Sequence, residues 1–152
     1  MFTLNTETPL GVMHFRANET AITAFCFGKS EEELPSPLLI EAKKQLSEYF
    51  EGSRKYFELP TEPAGTEFQK RVWRALCDIP YGETKSYGEV AAAIGRPKAA
   101  RAVGMANNRN PIAIIIPCHR VIGSDGKPVG YAGGLDKKLF LLTLERGTEN
   151  VY

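Results

Sequence analysis

The chain has 152 residues, 43% of them apolar and 24% charged, with a net charge of +1, which describes one or two small globular domains with enough apolar material for a core. No apolar run approaches the ~18–20 residues of a membrane span, and the N-terminus MFTLNTETPLG has neither the basic start nor the apolar centre of an export signal; a cytoplasmic location is expected, or a nuclear one in a cell with a nucleus. Three cysteines without CxxC spacing, Cys26, Cys77 and Cys118, argue against a disulfide framework and against a cysteine-rich zinc site.

The predicted elements begin with two short apolar-rich runs, Gly11–Ala17 and Ile22–Phe27, joined by Asn18-Glu19-Thr20 as a hairpin. Ser36–Phe50 has helical spacing at Leu39, Ala42, Leu46, Tyr49 and Phe50. Phe57–Leu59 reads as a further strand, and Pro60–Gly65 as a linker. This sets an α/β domain over residues 1–62 and a second domain over 63–152. Thr66 and Gln69 form a capping-box pattern opening a helix that buries Phe68, Val72, Leu76 and Trp73, with Cys77 in the core. Ser86 and Glu89 repeat the pattern for a helix over Tyr87–Ile94; Gly95-Arg96-Pro97 breaks it, and another helix runs from about Lys98 to Asn107. Two short helices across a tight turn make a helix-turn-helix candidate, though many helical domains contain such a pair. Ile112–Ile116 reads as a buried strand leading to Pro117-Cys118-His119-Arg120. A turn at Ser124–Lys127, a glycine-rich loop at Gly130–Gly134 and a helix over about Asp136–Arg146 complete the chain.

Charge is uneven along these elements. Residues 1–66 carry 6 Lys/Arg against 10 Asp/Glu, residues 67–120 carry 9 against 4, and residues 121–152 carry 4 of each. The basic middle third suits a polyanionic partner; chance unevenness is the plain alternative.

Cys118-His119 at a strand end carries the most chemistry. A free thiol is only a few per cent ionised near neutrality and needs a base. On an extended chain, neighbours point to opposite faces, so His119 would act on Cys118 through a bridging water. An inert buried thiol beside a surface histidine fits the pair equally well. Glu145 falls between Leu141 and Leu142 on the helical wheel, in an otherwise apolar arc. A carboxylate there needs a partner and would suit an imidazole; fraying into solvent at the helix end is the other reading.

The runs Ile115–Ile122 (IIPCHRVI), Gly130–Gly134 (GYAGG), Leu141–Glu145 (LLTLE), Gly65–Gln69 (GTEFQ) and Arg96–Gly104 (RPKAARAVG) closely resemble the O6-alkylguanine-DNA alkyltransferases, in order and with that family's spacing from about Gly65 to Arg146. The first sixty residues match only loosely. The resemblance implies a ribonuclease-H-like α/β N-terminal domain and a mainly α, winged-helix-like C-terminal domain with the helix-turn-helix. It implies direct repair of O6-alkylguanine in DNA by stoichiometric, irreversible transfer of the alkyl group to Cys118, a single-turnover methylated-DNA–protein-cysteine methyltransferase activity; O4-alkylthymine stays open as a second substrate. A lesion-binding or regulatory module without chemistry is the alternative, against which Cys118 itself speaks. By similarity, His119 draws off the Cys118 proton through a water and Glu145 supports His119. Asn110 ties the helix-turn-helix to the active-site turn, and Tyr87 contacts the flipped base. Arg101, beside Ala100, enters the base stack, and Tyr131, Ala132, Gly133 and Val121 surround the guanine. The implied partner is double-stranded DNA, held by minor-groove and phosphate contacts. No cofactor is expected. Larger relatives hold a structural zinc, but His14 and Cys26 are too few for a four-ligand site, so no metal is expected either; nor is a membrane partner. A monomer is expected.

Overall fold

In the computed structural model, which describes residues 1–131 and 133–147, the chain divides into two units: Met1–Ala64 with Pro111–Ile115, and Gly65–Asn110 with the chain from Ile116 onward.

The first unit is an antiparallel meander, β1 (Phe2–Thr8), β2 (Gly11–Ala17) and β3 (Ile22–Phe27), covered by helix α1 (Pro37–Glu51). Alternation sends Met13, Phe15 and Ala17 of β2 to the covered face, where Phe15 pairs with Phe25 and the two rings stack at 4.1 Å. Asn18 Oδ1 closes the β2–β3 turn by accepting from the amides of Thr20 and Ala21, both at 2.8 Å. Helix α1 starts where Ser36 caps the Leu39 amide with Pro37 in the first turn, and stops at Gly52, whose φ of 85° suits a residue without Cβ. It buries Leu39, Ala42, Leu46 and Tyr49. Two expectations fail here. β1 has no counterpart in the sequence reading. Phe57–Leu59 is not a strand: the Gln45 side chain takes up the backbone of Glu58, accepting from its amide at 2.9 Å, and only Thr61 bridges to Ile22.

The expected strand Ile112–Ile116 does not form either. Phe25 N donates to Pro111 O and Ala113 N donates to Phe25 O, giving one bridge at Ile112. The chain then turns sharply, with Ile115 N donating to Ala113 O at 2.7 Å and Ile114 at φ 69°. β-branched residues dislike this left-handed conformation, by roughly 1–2 kcal/mol; complete burial of the Ile114 side chain offsets it.

The second unit is built on α2 (Glu67–Cys77), α3 (Tyr87–Ala93), α4 (Ala100–Asn108) and α5 (Leu135–Arg146), with a small parallel pair β4 (Lys85–Ser86) and β5 (Val121–Ile122). Both capping boxes form, at Thr66/Gln69 and Ser86/Glu89. Helix α2 buries Val72, Trp73 and Leu76 against α3 and α4, and the Trp73 indole donates to Ala106 O at 2.9 Å. Gly65 is required beside it: a Cβ there would lie 2.5 Å from the Trp73 ring. Phe68 is only half-buried, with Arg96 over its ring. Cys77 was expected in the core and is exposed, because the last turn of α2 presents it to solvent while Val72, Trp73 and Leu76 take the buried face.

Candidate active site around Cys118

Local geometry places the cysteine first. Cys118 N donates to Ile116 O at 2.8 Å and Arg120 N donates to Pro117 O at 3.0 Å, winding Cys118–Arg120 into a single 3₁₀ turn instead of a strand end. At three residues per turn, successive side chains fan out by about 120°. Cys118, His119 and Arg120 therefore reach three different neighbours, and all three are buried. Two asparagines secure the turn. Asn107 Nδ2 donates to Cys118 O at 3.2 Å, and Asn110 Nδ2 donates to Ile116 O at 2.8 Å.

The turn is backed by α5, whose buried face is Lys138, Leu141, Leu142 and Glu145. Glu145 does not fray: His119 Nε2 meets its Oε2 at 2.7 Å. Arg120 grips both carboxylate oxygens, Nε to Oε1 at 2.8 Å and Nη2 to Oε2 at 3.0 Å, and donates Nη1 to Ile79 O at 2.8 Å. Burial alone would raise the Glu145 carboxyl, but His119 and Arg120 together hold it well below the usual carboxylate range. A carboxylate only accepts, so His119 Nε2 carries the hydrogen and Nδ1 is the lone-pair nitrogen. Nδ1 is buried without a hydrogen-bond partner among the described residues. Burial also pushes the imidazole below its ordinary value; Glu145 opposes this, while the charges of Arg120 and Lys138 reinforce it. The resting histidine is neutral.

Burial pushes the Cys118 thiol up, opposed by hydrogen bonding from Asn110, the charge of Lys138 and the Tyr131 hydroxyl. Cys118 is thus a protonated thiol at neutral pH, waiting beside a neutral base. Lys138 is fully buried, its ammonium capped by three carbonyls: Val121 at 2.5 Å, Val129 at 2.9 Å and Gly130 at 3.1 Å. Burial lowers it to about 8, and the nearby thiol opposes that fall. Tyr87, at the start of α3, donates its hydroxyl to the same Val129 carbonyl at 3.2 Å. Residues 67–147 match the DNA-binding domain, and residues 2–63 the ribonuclease-like domain, of 6-O-methylguanine DNA methyltransferase.

The chain belongs to this family.

It is 55% identical over 147 residues to the methylated-DNA–protein-cysteine methyltransferase of Methanosarcina barkeri, covering 91% of this chain and 93% of that protein. It is 48% identical over 152 residues to the constitutive one of Bacillus subtilis, covering 92% of each. Among solved structures, Mycobacterium tuberculosis OGT in complex with DNA superposes with a TM-score of 0.89 at 45% identity, over 96% of this chain and 93% of that one. The α/β ribonuclease-like unit followed by a mainly α DNA-binding unit is thus the family's arrangement.

Of the residues singled out in the sequence, Cys118, His119, Glu145, Asn110 and Tyr131 converge, and Tyr87 lies close enough for the thiol to bear on its phenol, which burial raises. Val121 contributes its backbone carbonyl to Lys138 while its side chain is fully buried. Arg101 lies exposed in the first turn of α4, beside half-buried Ala100. Gly133 forms part of the turn before α5; Ala132 lies outside the described residues. Sequence reasoning missed Arg120, Asn107 and Lys138. A signal existed for Lys138, seven residues before Glu145 and hence two turns away on the same apolar face. Arg120 and Asn107 offered none. No helix among the described residues is long and apolar enough to cross a membrane, and no group of three or more metal-ligating side chains occurs among them.

Proposed function

We propose that this protein reverses O6-alkylation of guanine in double-stranded DNA by moving the alkyl group irreversibly onto Cys118, one molecule per lesion. The observation that carries this is a buried thiol followed by a neutral histidine whose Nε2 is committed to Glu145 and whose Nδ1 is open to accept.

The Cys118 proton passes through a water to His119 Nδ1, and the imidazolium so formed is stabilised by the ionised Glu145. The thiolate sulfur attacks the alkyl carbon; the S–C bond forms as the C–O6 bond breaks, and the electron pair leaves on guanine. The proton held by His119 returns to the guanine, so the thiol proton and the alkyl group have exchanged places and His119 is neutral again. A thioether has no easy hydrolytic exit, which makes the reaction stoichiometric. The base must leave the stack to reach a buried sulfur, costing a few kcal/mol. Arg101, exposed at the start of α4, fills the gap, with Ala100 at the same minor-groove surface. Tyr87, Tyr131, Val121 and the loop Ala132–Gly133 enclose the base, and Asn110 fixes the turn that carries Cys118. Residues 67–120, net +5, grip phosphate without reading sequence. Residues 63–152 thereby hold the DNA-binding and acceptor functions and residues 1–62 a separate domain. The protein works as a monomer in the cytoplasm, or in the nucleus of a cell that has one.

The test is intact mass after incubation with methylated duplex. Wild type should gain one methyl and no more at any excess of substrate, and Cys118→Ser none, while the variant keeps salt-sensitive duplex binding. A methyl gained by the serine variant, or steady turnover by wild type, would remove Cys118 from this role.

A further inference from the structure

We propose that Arg120 is a positioning residue of the transfer: its guanidinium fork fixes the Glu145 carboxylate in the orientation that leaves His119 with Nδ1 as proton acceptor. This rests on the relay proposed above. Four donors of the described residues meet that carboxylate, His119 among them. Oε2 receives His119 Nε2 at 2.7 Å and Arg120 Nη2 at 3.0 Å; Oε1 receives Arg120 Nε at 2.8 Å and the Gly82 amide at 3.3 Å. The fork is itself anchored through Nη1 to Ile79 O at 2.8 Å, and its Cζ lies over the Tyr81 ring at 5.8 Å from the centroid, within cation–π range. The plane of the carboxylate is therefore set by a group fixed to the turn after α2, and the imidazole docks onto an orientation already chosen.

Charge follows the geometry. A buried carboxylate demands a cation. If His119 were the only candidate, it would be drawn into the imidazolium form and Nδ1 would lose its lone pair. A guanidinium is always charged, so Arg120 answers the demand and leaves the histidine neutral. The other groups facing this cluster are Lys138 from α5, whose charge also opposes an imidazolium, Cys118 and Tyr131 on the pocket side, and Tyr81, Cys77 and Asp78 around the end of α2. Arg120 is in contact with both carboxylate oxygens, through Nε and Nη2. A purely structural ion pair between the 3₁₀ turn and α5 would share the contacts but not their effect on the histidine.

The experiment uses the full chain with Arg120→Met and Arg120→Lys. The protonation state of His119 is read by ¹⁵N imidazole shifts between pH 5.5 and 8.5, and the single-turnover rate on methylated duplex is followed over the same range at saturating DNA. In the Met variant, the imidazolium should persist to higher pH by about one unit or more, the size of effect one lost neighbouring charge produces. The acid limb of the rate should move with it, so that the loss grows as pH falls, toward about tenfold at the acid end for a shift of one unit, and is smaller at pH 8.5. The Lys variant keeps the charge and loses the fork: its His119 titration should stay close to wild type while its rate falls by about the same factor at every pH. An unchanged His119 titration in folded Met variant, or a loss there that is independent of pH, overturns the proposal. If the Met variant does not fold, the Lys variant decides, since a wild-type rate throughout, or an imidazolium persisting to higher pH despite the retained charge, overturns it. Failure of the relay itself would show separately, as a His119→Ala protein reacting at the wild-type rate, and the ¹⁵N titration would still report on Arg120.

Discussion

Replacing Glu145 by Gln removes one charge and almost no volume, and the structure sets what must follow. Glu145 is 7% exposed and is met by His119 and by both arms of the Arg120 fork. Gln can still accept from Arg120 through its carbonyl, but its amide nitrogen presents hydrogens where a donor now points. Breaking a buried pair by neutralising one partner typically costs ~3–5 kcal/mol. For a chain of this size that lowers the melting temperature by about 6–20 °C. The transfer rate should fall by about 10²–10⁴-fold, the usual worth of a general base, because an imidazolium without its carboxylate is no longer stabilised. The pH dependence has a definite sign. The Glu145 carboxyl is depressed in the folded protein, so its stabilisation is complete above the ordinary carboxylate value and is lost as pH falls below about 4.5 toward the depressed value. Wild type and Gln variant should therefore converge in stability on acidification and diverge near neutrality. Thermal unfolding at pH 7 and at pH 3.5, with single-turnover kinetics at pH 7, measures all three. A Gln variant within ~0.5 kcal/mol of wild type at pH 7, or one transferring at the full rate, would refute the assignment of Glu145 as a buried, ionised partner of His119.

Arg101→Ala should slow repair of duplex far more than reaction with free O6-benzylguanine, which needs no extrusion; full recovery at saturating protein would reduce Arg101 to a phosphate contact. Gly65→Ala should destabilise by about 1–3 kcal/mol through overpacking on Trp73, seen in thermal unfolding and a shifted tryptophan emission, and an unchanged melting temperature would contradict that close approach. Lys138 is lowered to about 8, so the unfolded chain binds more protons than the folded one from there up to about 10.5. Wild type should gain stability relative to Lys138→Met across that window, by up to about 3 kcal/mol, and parallel stability curves for the two proteins would show that the ammonium is not strained.

Where a side chain answers to its immediate neighbours in sequence, the reading came through. The capping boxes at Thr66 and Ser86 opened helices at the expected residues, and Glu145 was found from its place in an apolar arc. The failures occur where distant groups decide. Ile112–Ile116 has the composition of a strand, yet Pro111 and Pro117 flank it and only Ile112 finds a partner in β3, so the chain turns through Ile114. β1 alternates Leu4 and Thr6 inward, too weak an apolar signal to register alone. Arg120 is one of nineteen basic residues; nothing local announces that its partner lies 25 positions downstream.

The dependence of the thiol on α5 also bears on synthesis. Glu145 follows Cys118 by 27 positions, and at ~5–20 residues per second a translating ribosome takes about 1–5 s to cover that interval. Throughout it the nascent cysteine has its histidine but not the carboxylate; Lys138 arrives only 20 positions after the cysteine, and no pocket is closed around the sulfur until the helix is complete. An acceptor that can be spent only once is therefore kept unarmed until the helix that arms it has been made.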